Sequence, residues 1–157
     1  MERKRSFWPY VIFIFLSLLT GGLATLVSLD GMRAFQSLPQ SPLTPPPVVF
    51  SLVWSVLYIL MGVSAALVYT AAPRGLKDQH LLYAGTLLLN FLWPVLFFAL
   101  GLRLAALVTL LVMLAMAIGT VIRYRPVSPI AAWLQVPYAF WLCFAFYLNL
   151  TAYQLNG

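Results

Sequence analysis

The chain contains 157 residues, of which 63% are hydrophobic and 8% are charged, and its formal net charge at pH 7 is +6. Soluble domains carry about 25% charged residues, so this composition excludes a water-facing globular domain and predicts that most of the surface faces lipid. One cysteine excludes an intrachain disulfide, one histidine leaves too few ligands for a metal site, and basic residues spread over termini and loops disfavour nucleic-acid binding.

Five long uncharged segments follow one another along the chain. A helix needs roughly 20 apolar residues to cross about 30 Å of hydrocarbon, and each segment is long enough. The sequence therefore predicts a single all-α integral membrane domain over residues 1–157. It is a bundle of five transmembrane helices near residues 7–29, 47–71, 80–99, 103–123 and 130–154. The uncharged stretch after Arg3-Lys4-Arg5 is longer than a signal-peptide core, which favours a retained first helix.

The connection between the first two predicted helices, residues 30–46, is long and proline-rich. It contains Pro39, Pro42, Pro45 and Pro46. Loops of this length are uncommon in bundles unless they are functional or disordered, and prolines restrict the chain. We therefore expect a semi-ordered cap over one end of the bundle.

Small residues recur at every fourth position of the first helix, at Ser17, Gly21 and Thr25. Small side chains let two helix backbones approach closely in a membrane. The pattern is compatible with packing inside the chain and equally with a homodimer.

Basic residues are distributed unequally between the two ends of the predicted bundle. Five helices place the termini on opposite sides, and Arg33 and Arg103 then lie on the carboxyl-terminal side. Seven basic residues lie on the amino-terminal side: Arg3, Lys4, Arg5, Arg74, Lys77, Arg123 and Arg125. The positive-inside rule therefore predicts a cytoplasmic amino terminus in a cell membrane, with the long loop and the carboxyl terminus outside.

The predicted membrane interior lacks ionisable groups suited to coupling or catalysis. The three acidic residues, Glu2, Asp30 and Asp78, all fall at helix ends or outside the spans. Gradient-driven transport usually needs a buried charge, and conventional catalysis needs an acid–base pair or an activated nucleophile. The sequence disfavours both.

Aromatic and amide side chains instead recur at helical spacing in three spans: Phe50, Trp54, Tyr58 and Met61; Asn90, Trp93, Pro94 and Phe97; Trp133, Pro137, Trp141, Ala145 and Asn149. Asn90 and Asn149 are costly in hydrocarbon unless paired, so both should face the bundle interior. Spacing alone leaves helix packing and a ligand pocket open, with packing favoured.

Three short motifs occur in order along the chain: Leu43-Thr44-Pro45-Pro46 followed by Phe50, Val53-Trp54 and Leu57-Tyr58; Asn90-Phe91-Leu92-Trp93 followed by Phe97-Phe98; and Pro137-Tyr138 with Trp141, Ala145 and Leu148-Asn149. In these motifs, and in helix number and loop order, the chain resembles the TspO/MBR family. These are the tryptophan-rich sensory proteins related to the mitochondrial translocator protein or peripheral benzodiazepine receptor.

The resemblance implies a five-helix bundle that binds tetrapyrroles such as protoporphyrin IX and haem, without an obligatory cofactor, in a pocket beneath the first loop. Matching positions predict a pocket formed by Trp54, Tyr58, Asn90, Trp93, Phe97, Pro137, Trp141, Ala145 and Leu148. The lid loop would contribute Phe35, Leu43, Pro45 and Pro46.

Two departures from the family pattern qualify this expectation. Leu43 stands where the family usually has tryptophan, and Ala34-Phe35 stands where it has a Trp-Tyr pair, so the lid carries less aromatic surface. Tyr153 is followed by Gln154 rather than by a basic residue nearby, which leaves the family's sterol motif incomplete. Tight sterol binding is therefore not predicted.

Three functions follow from these expectations. The leading one is a receptor- or sensor-type membrane protein that binds porphyrins in tetrapyrrole handling or stress response. The second is light- and oxygen-dependent degradation of the porphyrin through Trp54 and Trp141, which the resemblance implies. The third is a regulatory partner of other membrane proteins.

Overall fold

Five long helices form the computed structural model, which describes residues 6–72 and 77–157. The helices are α1 (Trp8–Phe35), α2 (Pro47–Ala71), α3 (Lys77–Pro94), α4 (Arg103–Tyr124) and α5 (Pro129–Asn156), and α3 continues into a π-helical segment, Val95–Ala99. The described residues contain no β-strand. Each helix, with α3 taken to Ala99, is long and apolar enough to cross a membrane. The predicted all-α membrane fold is confirmed.

Some of the sequence predictions concern residues that lie outside the described ranges. These are the basic residues Arg3, Lys4, Arg5 and Arg74, and the turn at Pro73 and Gly75. The other predicted helix limits, apart from the end of α1, differ from the observed ones by at most three residues.

The end of α1 corrects the sequence analysis, which ended this helix at residue 29. The helix continues to Phe35, and an ion pair between Asp30 and Arg33, 3.5 Å apart and one turn along the helix, stabilises the added turn. Charged residues mark where the helix leaves the hydrocarbon, not where it stops. Phe35 is therefore the last residue of α1 and not part of the loop, which spans residues 36–46.

Proline determines how several helices begin. Pro9, Pro47 and Pro129 lie in the first turns of α1, α2 and α5. The missing N–H costs nothing there, because the first backbone donors of a helix have no intrahelical acceptor. At α5 the hydroxyl of Ser128 also accepts a hydrogen bond from the backbone N–H of Ala131 at 3.2 Å, an ordinary N-cap.

A π-helical turn, Val95–Ala99, follows Pro94 directly. Leu100 N–H donates to the Val95 carbonyl at 2.9 Å, five residues back, and Gly101 then ends the segment with a positive φ of 64°. Helix α1 lies directly against this turn. A methyl group added at Gly31 would overlap the backbone carbonyl of Phe98, so only glycine permits this approach.

The small-residue pattern of α1 packs mainly inside the chain. The Ser17 hydroxyl lies 2.8 Å from the Tyr83 hydroxyl, which also donates to the Phe13 carbonyl at 2.8 Å. Gly21 lies against the ring of Tyr58, which a Cβ would overlap. Thr25 is exposed and bonds only within its own helix. Two of the three small residues therefore pack against other helices of the chain, Ser17 against α3 and Gly21 against α2.

The central core lies between α2, α3, α4 and α5. Helix α5 packs along both α4 and α2, and α1 packs against α2 and α3 from outside. Only Ser17, Ala24 and Ser28 of α1 are fully buried, so most of this helix faces lipid. The core is continuous around Trp54, Trp93 and Tyr138, where the candidate site lies.

Candidate ligand-binding site

Three tryptophans from three helices meet at the centre of the bundle, and we call them the tryptophan cluster: Trp54 of α2, Trp93 of α3 and Trp141 of α5. The rings of Trp54 and Trp93 are stacked, with centroids 5.9 Å apart and an interplanar angle of 27°. Trp141 meets Trp54 edge to face at 6.4 Å. Trp54 and Trp93 are buried, whereas Trp141 is half-buried. The cluster is held by the rigid helices and not by loops.

Other aromatic rings extend the cluster in both directions. The ring centroid of Phe50 lies 6.2 Å from that of Trp54 and 6.1 Å from that of Trp141. Phe97 stacks on Trp93 with centroids 5.8 Å apart. Such pairs contribute about 0.5–1.5 kcal/mol each beyond burial of their area. The predicted aromatic stripes of α2 and α3 therefore do face one another across the bundle.

The two buried asparagines are hydrogen-bonded, as predicted for amides inside a membrane protein. Asn90 Nδ2 donates to the Tyr138 hydroxyl at 2.7 Å and to the Thr86 carbonyl at 2.8 Å. Asn149 Oδ1 accepts from Trp93 Nε1 at 3.1 Å. Both asparagines are 1% exposed. Each amide links α5 to α3, one at either side of the cluster.

Three polar atoms at the cluster have no hydrogen-bond partner among the described residues: Trp54 Nε1, Trp141 Nε1 and Asn90 Oδ1. An unpaired buried polar atom costs about 1–3 kcal/mol, and native structures keep few of them. Two indole donors and one amide acceptor at one site are the groups that a ligand with its own polar atoms would satisfy.

An apolar groove of about 590 Å³ runs between α2 and α5 beside the cluster. Its walls include Leu52 and Val56 of α2 and Phe140 of α5, which are exposed on the lipid-facing surface. Leu57 and Trp141 belong to both the groove and the core. The groove volume lies within the roughly 300–1,000 Å³ typical of small-molecule sites.

The predicted site residues divide between the core and this groove. Six are buried in the core: Trp54, Tyr58, Asn90, Trp93, Phe97 and Ala145. Trp141 and Leu148 are half-buried, and Pro137 is exposed on the groove wall rather than in the core. Trp133, the first member of the α5 stripe, is 73% exposed, in keeping with an interfacial anchor.

Helix geometry explains why the α5 stripe does not all face inward. Each step of four residues advances about 40° around a helix of 3.6 residues per turn, so a five-member stripe covers about 160°. Ala145 and Asn149 therefore face the core while Trp133 and Pro137 have turned toward lipid. A stripe of five residues at i+4 spacing is therefore wider than the part of the helix that is buried.

Phe35, a predicted lid residue that forms the end of α1, contacts a ring that packs on the tryptophan cluster. Its ring meets Phe97 edge to face at 5.1 Å, and Phe97 in turn stacks on Trp93. Leu43, by contrast, is 62% exposed. Pro45 is half-buried and Pro46, which directly precedes α2, is exposed.

Hydrogen bonds that the sequence analysis missed hold residues 36–46 onto α5. The Ser41 hydroxyl lies 3.2 Å from the Tyr147 hydroxyl, and Asn156 Nδ2 donates to the Pro39 carbonyl at 3.0 Å. The sequence analysis also omitted Phe50 and Tyr138 from the predicted site. Both residues belong to the sequence motifs described above, and Phe50 also lies in the α2 stripe, which were the available signals.

The fold and the site together define a multi-pass α-helical membrane protein with an aromatic site between its helices. In a comparison with family models, the model of the TspO/MBR family matches residues 10–154 of the chain. The chain therefore belongs to the TspO/MBR family, as the three sequence motifs indicated.

Curated relatives agree with this assignment. The translocator protein of Ovis aries is 38% identical over 130 residues, which are 81% of this chain and 77% of that protein. The translocator protein of Homo sapiens is 35% identical over 131 residues, with the same coverage of both chains. The tryptophan-rich protein TspO of Chlorobaculum tepidum is 37% identical over 117 residues, 71% of this chain and 72% of that protein.

Proposed function

We propose that this protein binds a porphyrin-type ligand, such as protoporphyrin IX or haem, at the tryptophan cluster, and that it acts as a membrane receptor or sensor in tetrapyrrole handling or stress response. The observation that carries the proposal is the edge-to-face contact of Trp54 and Trp141, whose buried indole N–H groups have no acceptor among the described residues. Trp93 beside them has its N–H hydrogen-bonded. A flat macrocycle offers indoles a face for stacking, and its carboxylates or ring nitrogens are acceptors for their N–H groups.

The arrangement of the cluster suggests how such a ligand would fit. Trp54 now contacts both of the other rings, so a macrocycle that enters the cluster must separate Trp54 from at least one of them. Trp141 is half-buried and borders the α2–α5 groove, which gives its ring adjacent space. Trp93 is fixed by a hydrogen bond. Outward movement of Trp141 into the groove is therefore the smallest rearrangement that opens the cluster.

The test is a titration of the purified, detergent-solubilised protein with protoporphyrin IX in the dark. The visible absorbance band of the porphyrin is followed, because its signal does not depend on how many tryptophans a variant retains. We expect saturable binding that Trp54→Phe and Trp141→Phe weaken severalfold. Trp133→Phe is the matched control, since it also removes one indole but from an exposed position. Absence of saturable binding by folded protein would overturn the proposal.

Light- and oxygen-dependent degradation of the porphyrin is a second candidate. The edge-to-face contact of Trp54 and Trp141 supports it, because both indoles would lie against the same macrocycle. The loaded protein is illuminated in air and the porphyrin band is followed with time. Loss of the band in the wild type, abolished in Trp141→Phe and retained in Trp133→Phe, would support degradation. Equal bleaching in all three proteins would exclude it.

We also propose that the amino terminus is cytoplasmic in a cell membrane. In support, Lys77, Arg123 and Arg125 lie at one end of the bundle, where Arg123 pairs with Asp78 at 3.6 Å. Arg33 lies near the end of α1 and Arg103 begins α4, at the opposite end. Basic residues are retained on the cytoplasmic side.

A further inference from the structure

Asn149 joins three helices beside Trp93 of the tryptophan cluster. It lies on α5, its Oδ1 accepts a hydrogen bond from Trp93 Nε1 at 3.1 Å, and its Nδ2 donates to the backbone carbonyl of Arg103, the first residue of α4, at 3.0 Å. An indole nitrogen only donates and a carbonyl only accepts, so the orientation of this amide is determined. A leucine at this position would fill similar space but satisfy neither partner.

This hydrogen bond distinguishes Trp93 from the other two tryptophans of the cluster. Trp93 has a paired indole N–H, whereas Trp54 and Trp141 have none within the described residues. The ring of Trp93 is stacked on two neighbouring rings. The interplanar angle is 27° with Trp54 and 23° with Phe97. A hydrogen bond to Nε1 lies at the edge of the indole and opposes its rotation about the side-chain torsions. It therefore holds the ring face in this stacked orientation.

We infer that Asn149 is a positioning residue, which fixes Trp93 as the rigid wall of the site while the unpaired Trp54 and Trp141 supply the rings that adapt to the ligand. The ligand part of this inference rests on the proposed porphyrin binding. The wall itself is a property of the ligand-free protein. Preorganised groups bind more tightly because less side-chain freedom is lost on association.

The first test needs no ligand. In protein labelled with ¹⁵N on tryptophan, the indole resonance of Trp93 is identified by its absence in Trp93→Phe. We expect Asn149→Leu to shift this resonance away from the hydrogen-bonded range and to speed its exchange with solvent. Ser64→Ala is the matched control, because it also deletes a fully buried hydrogen bond, from Ser64 Oγ to the Ala131 carbonyl, but away from the cluster. An unmoved Trp93 resonance in Asn149→Leu would overturn the inference.

The second test is a double-mutant cycle on protoporphyrin IX affinity. One net hydrogen bond corresponds to roughly a threefold to tenfold effect, so we expect Asn149→Leu to raise Kd by about that factor. Trp93→Phe keeps a ring but lacks the N–H, and in that background Asn149→Leu should add less than about twofold. Ser64→Ala should leave Kd unchanged. An equal effect of Asn149→Leu in both backgrounds would show that it acts by general disruption, against the inference.

A third variant, Asn149→Asp, keeps the test decisive where Asn149→Leu does not yield folded protein. The protonated carboxyl group retains an acceptor for the indole and a hydroxyl donor for the Arg103 carbonyl. The Trp93 resonance should therefore stay in the hydrogen-bonded range at a pH below the pKa of this group, and Kd within about twofold of the wild type. If Asn149→Asp lost both the hydrogen-bonded position of the Trp93 resonance and the affinity for protoporphyrin IX, the inference would be contradicted. A wild type that binds no porphyrin would instead overturn the proposed function, and the resonance of Trp93 would still decide the role of Asn149.

Discussion

The indole rings of Trp54 and Trp141 meet edge to face, 6.4 Å apart at an angle of 89°, and neither N–H has a hydrogen-bond partner within the described ranges. The two helices that carry them also form the walls of the apolar groove. A polar ligand atom between these rings would satisfy two donors that the protein leaves unpaired.

Trp54 and Trp141 should act on a ligand as a coupled pair. Side chains that contact each other and one ligand show coupling energies of about 0.5–3 kcal/mol, whereas distant sites add. We expect the loss of porphyrin binding free energy in the Trp54→Phe, Trp141→Phe double variant to differ from the sum of the single losses by at least about 0.5 kcal/mol. The measurement is a set of four dark titrations.

A control for this coupling combines Trp54→Phe with Trp133→Phe. Trp133 is exposed and has no ring contact with the cluster among the described residues. Its effect should add to that of Trp54→Phe within about 0.3–0.5 kcal/mol. Additive behaviour in both double variants would contradict a shared ligand site.

Gly31 should be intolerant of any side chain. A Cβ at this position would overlap the Phe98 carbonyl in the π-helical segment, and backbone cannot move aside as a flexible side chain can. We expect Gly31→Ala to lower stability by about 1–3 kcal/mol, the usual effect of overpacking. The measurement is the thermal unfolding midpoint in detergent.

Gly22→Ala provides the matched control in the same helix. Nothing lies within 4 Å of a Cβ placed at Gly22. Alanine in a helix interior is favoured over glycine by roughly 0.5–1 kcal/mol, so this variant should be neutral or slightly more stable. Equal destabilisation by the two substitutions would show that the close approach of α1 to the π-helical segment is absent.

Ser41 should hold residues 36–46 against the bundle. Its hydroxyl lies 3.2 Å from that of Tyr147 and accepts from the backbone N–H of Leu43 at 3.2 Å. In Ser41→Ala we expect amide hydrogen exchange in this segment to accelerate roughly threefold to tenfold, as the loss of about one hydrogen bond allows. Ser37→Ala is the control, because Ser37 bonds only to the nearby Ala34 carbonyl. Unchanged exchange in Ser41→Ala would contradict an anchoring role.

Orientation in the membrane can be tested with a single new thiol. Cys143 is the only cysteine, so Cys143→Ala provides a thiol-free background. A cysteine at exposed Leu43 should react with a membrane-impermeant maleimide added to intact cells. A cysteine at Arg125, which follows the last residue of α4, should react only after permeabilisation. The reverse pattern would place the amino terminus outside.

The membrane fold and part of the site could be predicted from the sequence. Uncharged segments of this length have no stable arrangement in water and must cross lipid as helices, because lipid cannot satisfy an exposed backbone. The same reasoning predicted that Asn90 and Asn149 would be buried, since a lone amide in hydrocarbon is costly. The aromatic faces of α2 and α3 followed from helical spacing and are confirmed by the burial of Trp54 and Trp93.

The pairing of polar groups between helices could be seen only in the packed bundle. The hydrogen bond from Trp93 to Asn149 joins residues 56 positions apart, and whether Trp54 finds a partner among the described residues depends on the side chains that α3 and α5 place beside it. Spacing along one helix gives the directions of its own side chains but not the rotation of its neighbours. For the same reason the sequence could not show that Gly31 lets α1 continue past the π-helical segment to Phe35.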